Sequence, residues 1–199
     1  MLSTITTFIS KAGYLGIFLL MLVENIFPPI PSEMIMPFAG YVAAEGSLSL
    51  VSVILAGALG SLAGVWFWYE LARWLGPDRL RKFAARHGRW LTMSPADLDR
   101  ADTWFDAHAG KMVLLGRLIP GIRTLISVPA GVFGMPRVAF LAYSALGTAI
   151  WAGALAFAGF HLRADFGDVG AYVDPVSTGI MAILVSVYLY RVVTWSPHR

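Results

Sequence analysis

The sequence predicts an all-α integral membrane protein: an inverted repeat of two re-entrant helical hairpins, each followed by a transmembrane helix. About four crossings and a cytoplasmic amphipathic helical segment complete the plan. Three observations predict it. The 199-residue chain is 57% hydrophobic and only 14% charged, with a mean hydropathy of +0.68, whereas soluble domains carry roughly 25% charged residues. Four apolar stretches, about 13–27, 48–75, 137–161 and 173–194, are near the ~20 residues that cross ~30 Å of hydrocarbon, the first being short. Two further apolar stretches, 28–46 and 114–136, are interrupted by proline and glycine.

The first element begins after Lys11. The apolar run Gly13 to Val23 loosely resembles a secretion signal, but it meets Glu24 and a proline cluster with no small-residue cleavage site. It reads as a retained helix. The next stretch, ENIFPPIPSEMIMPFAGYVAAEG over 24–46, carries Pro28, Pro29, Pro31 and Pro37, each of which resists an ordinary helix interior. Its counterpart is LLGRLIPGIRTLISVPAGVFGMP over 114–136. Each of the two broken stretches has about ten helix-capable residues, enough for ~15 Å, half a bilayer. Irregular backbone at membrane depth survives only when buried in protein or lining a wet cavity. Both stretches therefore read as re-entrant hairpins, shaped by Pro28 and Pro31 in the first and by Pro120, Gly121 and Gly131 in the second.

The hairpins also resemble each other. A shift of 91 residues pairs Pro29 with Pro120, Ile35 with Ile126, and Ala39-Gly40 with Ala130-Gly131. In the crossings that follow, Gly60 and Gly147 correspond once four residues are allowed for. The expected organisation is one domain over 1–199: a half-repeat at about 14–75, an amphipathic segment at 76–112, a second half-repeat at 113–162 and a last helix at 173–194.

Charge sets the orientation. No Lys or Arg lies between Lys11 and Arg73, and eight of the fifteen basic residues then fall between Arg73 and Lys111. The segment HLRADFGDVGAYVDP has one Arg against Asp165, Asp168 and Asp174. By the positive-inside rule, 76–112 and both termini face the cytoplasm of a multi-pass protein of the cytoplasmic membrane. The first hairpin then opens outward and the second inward, which is the inverted repeat. Within 76–112, RLRKFAARHGRWL reads as an interfacial helix on anionic lipid. Ser94 and Pro95 open a helix with Leu98, Ala101 and Phe105 on one face, and Gly110 is expected to end it. No nucleic-acid role is expected, because positive-inside bias explains the basic residues.

The residues able to do chemistry are few. Cysteine is absent, and no metal-binding, phosphate-loop or nucleophile-elbow pattern appears. No catalytic residue, metal or cofactor is expected, and the chain does not read as an enzyme. Ser61 reads as a close-packing residue among Gly57, Gly60 and Gly64. His161 reads as an interface residue, and Trp66, Trp68 and Tyr69 as packing and interface residues. What remains is charge: Glu24 and Glu33 on one hairpin, Arg117 and Arg123 on the other. A lone charge at the bilayer centre costs roughly 2.5–3.5 kcal/mol on insertion scales. Two readings stand side by side. In one, the four residues form structural salt bridges. In the other, Arg117 and Arg123 bind an anion through guanidinium forks suited to phosphate oxygens, while Glu24 and Glu33 couple charge or protons.

These motifs resemble the DedA family of bacterial membrane proteins (SNARE-associated, or VTT-domain, relatives). The family's acid, proline-rich turn and second acid correspond to Glu24, Pro28, Pro31 and Glu33. Its G-R-x-x-P-x-x-R and A-G correspond to Gly116, Arg117, Pro120, Arg123, Ala130 and Gly131. The resemblance covers about residues 14–162. ENIFPPIPSE and GRLIPGIRTLISVPAG most resemble the branch implicated in returning undecaprenyl phosphate across the cytoplasmic membrane for envelope synthesis. More distant relatives move phospholipids between leaflets. Many members carry Gly-Asp and then Tyr-x-x-Gly-Arg in the second crossing. This chain has Val65 and Ala72 there, with Tyr69 and Arg73 kept, so the family's coupling acid has no counterpart at that position unless Glu70 supplies it. The resemblance implies a transporter of a polyprenyl phosphate, working among membrane lipids, with the homo-oligomeric state open. A proton-dependent small-ion or drug transporter and a non-transport structural factor are the alternatives.

Overall fold

A computed structural model describes residues 2–27, 32–91, 95–119 and 122–161, with residues 186, 189, 190 and 193 beyond them. The regular elements among the described residues are helices: α1 (Leu2–Ile26), α2 (Ser32–Ala44), α3 (Leu50–Leu91), α4 (Pro95–Arg117), α5 (Ile122–Leu125), α6 (Ser127–Val132) and α7 (Arg137–His161). Pro28, Pro31, Pro120, Gly121 and nearly all of the expected crossing at 173–194 lie outside the described residues, as does the side chain of Glu33.

Two described helices are long and apolar enough to cross a membrane, Leu50–Leu80 within α3 and Arg137–His161. At 1.5 Å per residue they measure about 46 and about 37 Å. They run antiparallel: Ile54 lies beside Gly153, Trp66 beside Phe140, and Tyr69 beside Met135. Their outer faces carry Leu55 and Leu59, each 56% exposed, and Ile150 and Phe157, 48% and 56% exposed. Leucines four residues apart on one helix face form a continuous apolar stripe, as a lipid-facing surface requires.

The other apolar helices are shorter: Ala12–Ile26, Ile35–Ala44 and Ile122–Val132. The first is about 22 Å long. It begins at a kink where Gly13 takes φ 55° and ψ −133°. The expected crossing at 13–27 corresponds to the helix Ala12–Ile26, and α2 falls within the expected hairpin at 28–46. Two boundaries differ. α3 continues past residue 75, although Gly76, at φ 70° beside Pro77, marks the expected end of the crossing. α4 runs unbroken through Gly110, whose missing Cβ makes room for the Tyr143 ring. Gly110 is an accommodation for a neighbour, not a terminator.

Helix contacts follow the repeat. α1 lies along α3, with Gly60 against the Phe18 carbonyl and Gly64 against Leu22 and Asn25. α4 lies along α7, with Gly147 against the Leu114 carbonyl and the Arg117 stem. The second short helix of each half crosses over to the other half. Gly40 of α2 abuts the Ala156 carbonyl of α7, and Gly131 of α6 abuts the Tyr69 carbonyl of α3. Gly40 and Gly131 are 91 residues apart, and Tyr69 and Ala156 are 87 apart, the same two shifts that align the halves in sequence. Tight glycine contacts of this kind bring helix backbones together where burial of apolar surface from water is not available as a driving force.

Candidate functional site

The site forms where α1, α3, α4, α5 and α7 converge. Glu24 and Asn25 are in the last turn of α1 and are 5% and 2% exposed; Arg117, at the end of α4, and Arg123, in α5, are 2% and 6% exposed. Such burial of ionised groups is tolerated only with partners. Arg123 Nη2 donates to both Glu24 carboxylate oxygens at 2.6 Å, bridging residues 99 apart in sequence. Asn25 Nδ2 donates to Glu24 Oε2 at 2.5 Å, and also reaches the Met21 carbonyl at 2.9 Å and Ser61 Oγ at 3.0 Å.

Arg117 is held differently. Its Nη2 donates to Ser127 Oγ at 2.9 Å and Ser144 Oγ at 3.0 Å, and its Nη1 to the Arg123 carbonyl. The guanidinium also lies 5.4 Å from the Phe140 ring centroid, within cation–π range. Its acceptors among the described residues are hydroxyls and a carbonyl, all neutral. Hydroxyls and a carbonyl orient a guanidinium while leaving its charge to be balanced from elsewhere.

Between the two arginines lies a cleft lined by Asn25, Ser61, Arg117, Arg123, Thr148 and Trp151, with room for about one water-sized group. Every lining side chain can donate a hydrogen bond, and no carboxylate is among them. Trp151 Nε1 is buried with no acceptor in reach among the described residues, and an orphaned buried donor costs about 1–3 kcal/mol.

The sequence reading singles out Glu24, Arg117 and Arg123, and the structure brings these three together. Glu33 begins α2, with its side chain outside the described residues. Gly131 lies in the last turn of α6 at the close approach to α3. Asn25, Ser127, Ser144, Thr148 and Trp151 are absent from that reading, and Ser61 figures in it only as a packing residue. One signal was available: Ser61 and Thr148 are 87 residues apart, so the repeat that pairs Gly60 with Gly147 also pairs two hydroxyls.

Nearby positions bear on the family pattern. Val65, standing where an acid is common, is 1% exposed in an apolar cluster with Tyr69, Phe140 and Ile126. Glu70 pairs with Arg137 at 2.7 Å on the exposed side of α3. Tyr69 Oη donates to the Met135 carbonyl at 2.5 Å, and Arg73 Nη1 donates to Tyr69 Oη at 2.6 Å and to the same carbonyl at 3.0 Å. These bonds fasten α3 to the turn before α7. His161 closes α7, exposed, with its ring against Phe157 and Phe160.

Helices as the only regular elements among the described residues, two of them long and apolar enough to cross a membrane, with a buried, donor-rich charge cluster between helices, fit an α-helical membrane protein of transporter type. Comparison with known proteins gives the family. The VTT domain matches residues 30–161, and the chain belongs to that family, the DedA proteins. It is 34% identical over 195 residues to undecaprenyl phosphate transporter A of Staphylococcus aureus, covering 98% of this chain and 96% of the other. The Bacillus subtilis protein of the same name is 30% identical, covering 97% and 94%. An alkaline phosphatase-like protein of Lactococcus lactis is 34% identical, covering 96% and 89%. No solved structure matches.

Proposed function

We propose that this protein carries a lipid phosphate, undecaprenyl phosphate foremost, between the leaflets of the cytoplasmic membrane. The observation that carries the reading is the pair of buried guanidiniums, Arg117 and Arg123, lining one cleft at the junction of the two halves. A phosphate monoester presents several acceptor oxygens and up to two negative charges, which two planar forks match better than any neutral ligand. The polyprenyl tail stays in hydrocarbon while the headgroup alone crosses through the protein. Near-full-length similarity to two proteins named undecaprenyl phosphate transporter supports the same substrate.

In this reading α1 with α2, and the end of α4 with α5 and α6, are re-entrant hairpins of opposite orientation, and α3 and α7 are spans. The headgroup site at their junction then matches the midplane site of inverted-repeat transporters. Glu24 holds Arg123 between loads, and an arriving phosphate displaces it. Glu24, with Glu33, then takes up a proton or faces a second cation, which couples phosphate movement to protons. Both termini face the cytoplasm, the partners are membrane lipids, and the protein is a carrier rather than an enzyme. Among the described residues the cleft lining offers donors and no carboxylate, which favours holding an anion.

The test is transfer of labelled undecaprenyl phosphate across liposomes holding the purified protein, with and without a pH gradient. Arg123→Ala should abolish transfer. Arg117→Lys should lose most of it, since a point charge does not replace a bidentate fork. Wild-type protein, shown to be folded, that transfers no faster than empty liposomes overturns the proposal. Transfer by Arg117→Lys equal to wild type would return Arg117 to a structural role.

A further inference from the structure

Within the cleft, one group has no explanation in the fold. Among the described residues Trp151 Nε1 is buried without an acceptor, although tryptophan N–H groups usually find a partner when buried. It sits one helical turn beyond Thr148, and the two line the same cleft. Facing them is Ser61, whose Oγ already accepts from Asn25 at 3.0 Å. Its own hydrogen is therefore available to an acceptor. Three neutral donors thus stand beside two guanidiniums, from α3 and α7, at hydroxyl positions related by the 87-residue shift. A pocket of donors lacks one thing, an acceptor-rich occupant. A site for a cation or a drug amine would bring a carboxylate into the lining, and here the Glu24 carboxylate is turned to Arg123 instead.

We infer that Trp151, through its indole N–H, together with the Ser61 and Thr148 hydroxyls, binds the oxygens of a phosphate monoester whose charge Arg117 and Arg123 neutralise. The inference rests on the anion-site reading above and deepens it. The arginines supply charge and the neutral donors supply shape. Three directed N–H and O–H groups distinguish a tetrahedral oxyanion from a simple halide, which needs charge alone. The cleft admits one oxygen-sized group as it stands, so the rest of the phosphate enters as the Glu24–Arg123 bridge parts.

The protein has seven tryptophans, so ¹⁵N-labelled tryptophan gives a small set of indole N–H signals in detergent. The Trp151 signal is the one lost in Trp151→Phe. Farnesyl phosphate should move it downfield and slow its exchange with water, and farnesol should leave it in place. Trp151→Phe should weaken farnesyl phosphate binding about fivefold, the effect of one neutral hydrogen bond, with the other indole signals unchanged as evidence of fold. Arg123→Ala should abolish binding. An inorganic phosphate arm separates headgroup from free ion: a shift there alone keeps the donor role and assigns it to free phosphate. Arg123-dependent binding with an unmoved Trp151 signal overturns the inference, leaves the anion-site reading intact and makes the indole's partner a bound water only. If no Arg123-dependent binding occurs, both fall together.

Discussion

At the scale of single residues, the bridge between Glu24 and Arg123 governs the site. Both groups are buried, so each is stable only while the other is present. Glu24→Ala should therefore lower unfolding stability by about 3–5 kcal/mol, the range for stranding a buried charge. A double change of Glu24 and Arg123 to leucine should recover much of that loss in a thermal melt while leaving phosphate transfer at zero. A melt that stays depressed in the double variant would show that the bridge organises the fold beyond its own neutralisation. This is also where sequence reading was strongest and weakest. Charges in an apolar run announce themselves one at a time, which is why Glu24, Arg117 and Arg123 were legible. A hydroxyl or indole in such a run looks the same whether it faces a neighbour, lipid or a cleft. Asn25, Thr148 and Trp151 were hidden for that reason, and Ser61 was assigned to helix packing alone, although it also accepts from Asn25.

At the scale of helices, glycine positions decide which elements touch. A Cβ on Gly40 would collide with the Ala156 backbone, and one on Gly131 with the Tyr69 carbonyl and Ala72. Gly40→Ala and Gly131→Ala should each lower the melting temperature and the yield of folded protein, by comparable amounts. Gly153→Ala is the control, because its Cβ would meet only Ile54 at 3.9–4.0 Å. It should be neutral or stabilising by up to ~1 kcal/mol from helix propensity. Unequal effects at Gly40 and Gly131 would show that the halves do not carry equal loads. The helices themselves were legible where composition and length agreed, as for α7. Their ends were less so. Gly110 has the look of a stop signal, yet a helical glycine can equally serve a neighbour such as Tyr143, and only the fold distinguishes the two. The crossing expected to end near residue 75 meets Gly76, which takes a left-handed φ, yet α3 continues through it.

At the scale of the whole molecule, antiparallel α3 and α7 place Ser47 and Pro136, both exposed, at opposite ends of the spans. The chain has no cysteine, so single cysteines report without background. Ser47→Cys should react with an impermeant maleimide from outside the cell, and Pro136→Cys only from the cytoplasmic side; labelling of both from one side would overturn the inverted arrangement. The crossed helices carry a separate prediction. A chain divided in the 92–94 connection should give two fragments that are each degraded alone and become stable and active when expressed together. Stable accumulation of either fragment by itself would contradict that. The reason lies in the exchange of α2 and α6 between halves, and it reaches back to synthesis. When the ribosome has finished α2, the surface that will hold it, on α7, is more than a hundred codons away. For that interval α2, a short helix with Gly40 on its contact face, waits without its seat. The molecule is thus born with an unfinished joint that only its own last helices can close, and its biogenesis depends on whatever shelters that joint until they arrive.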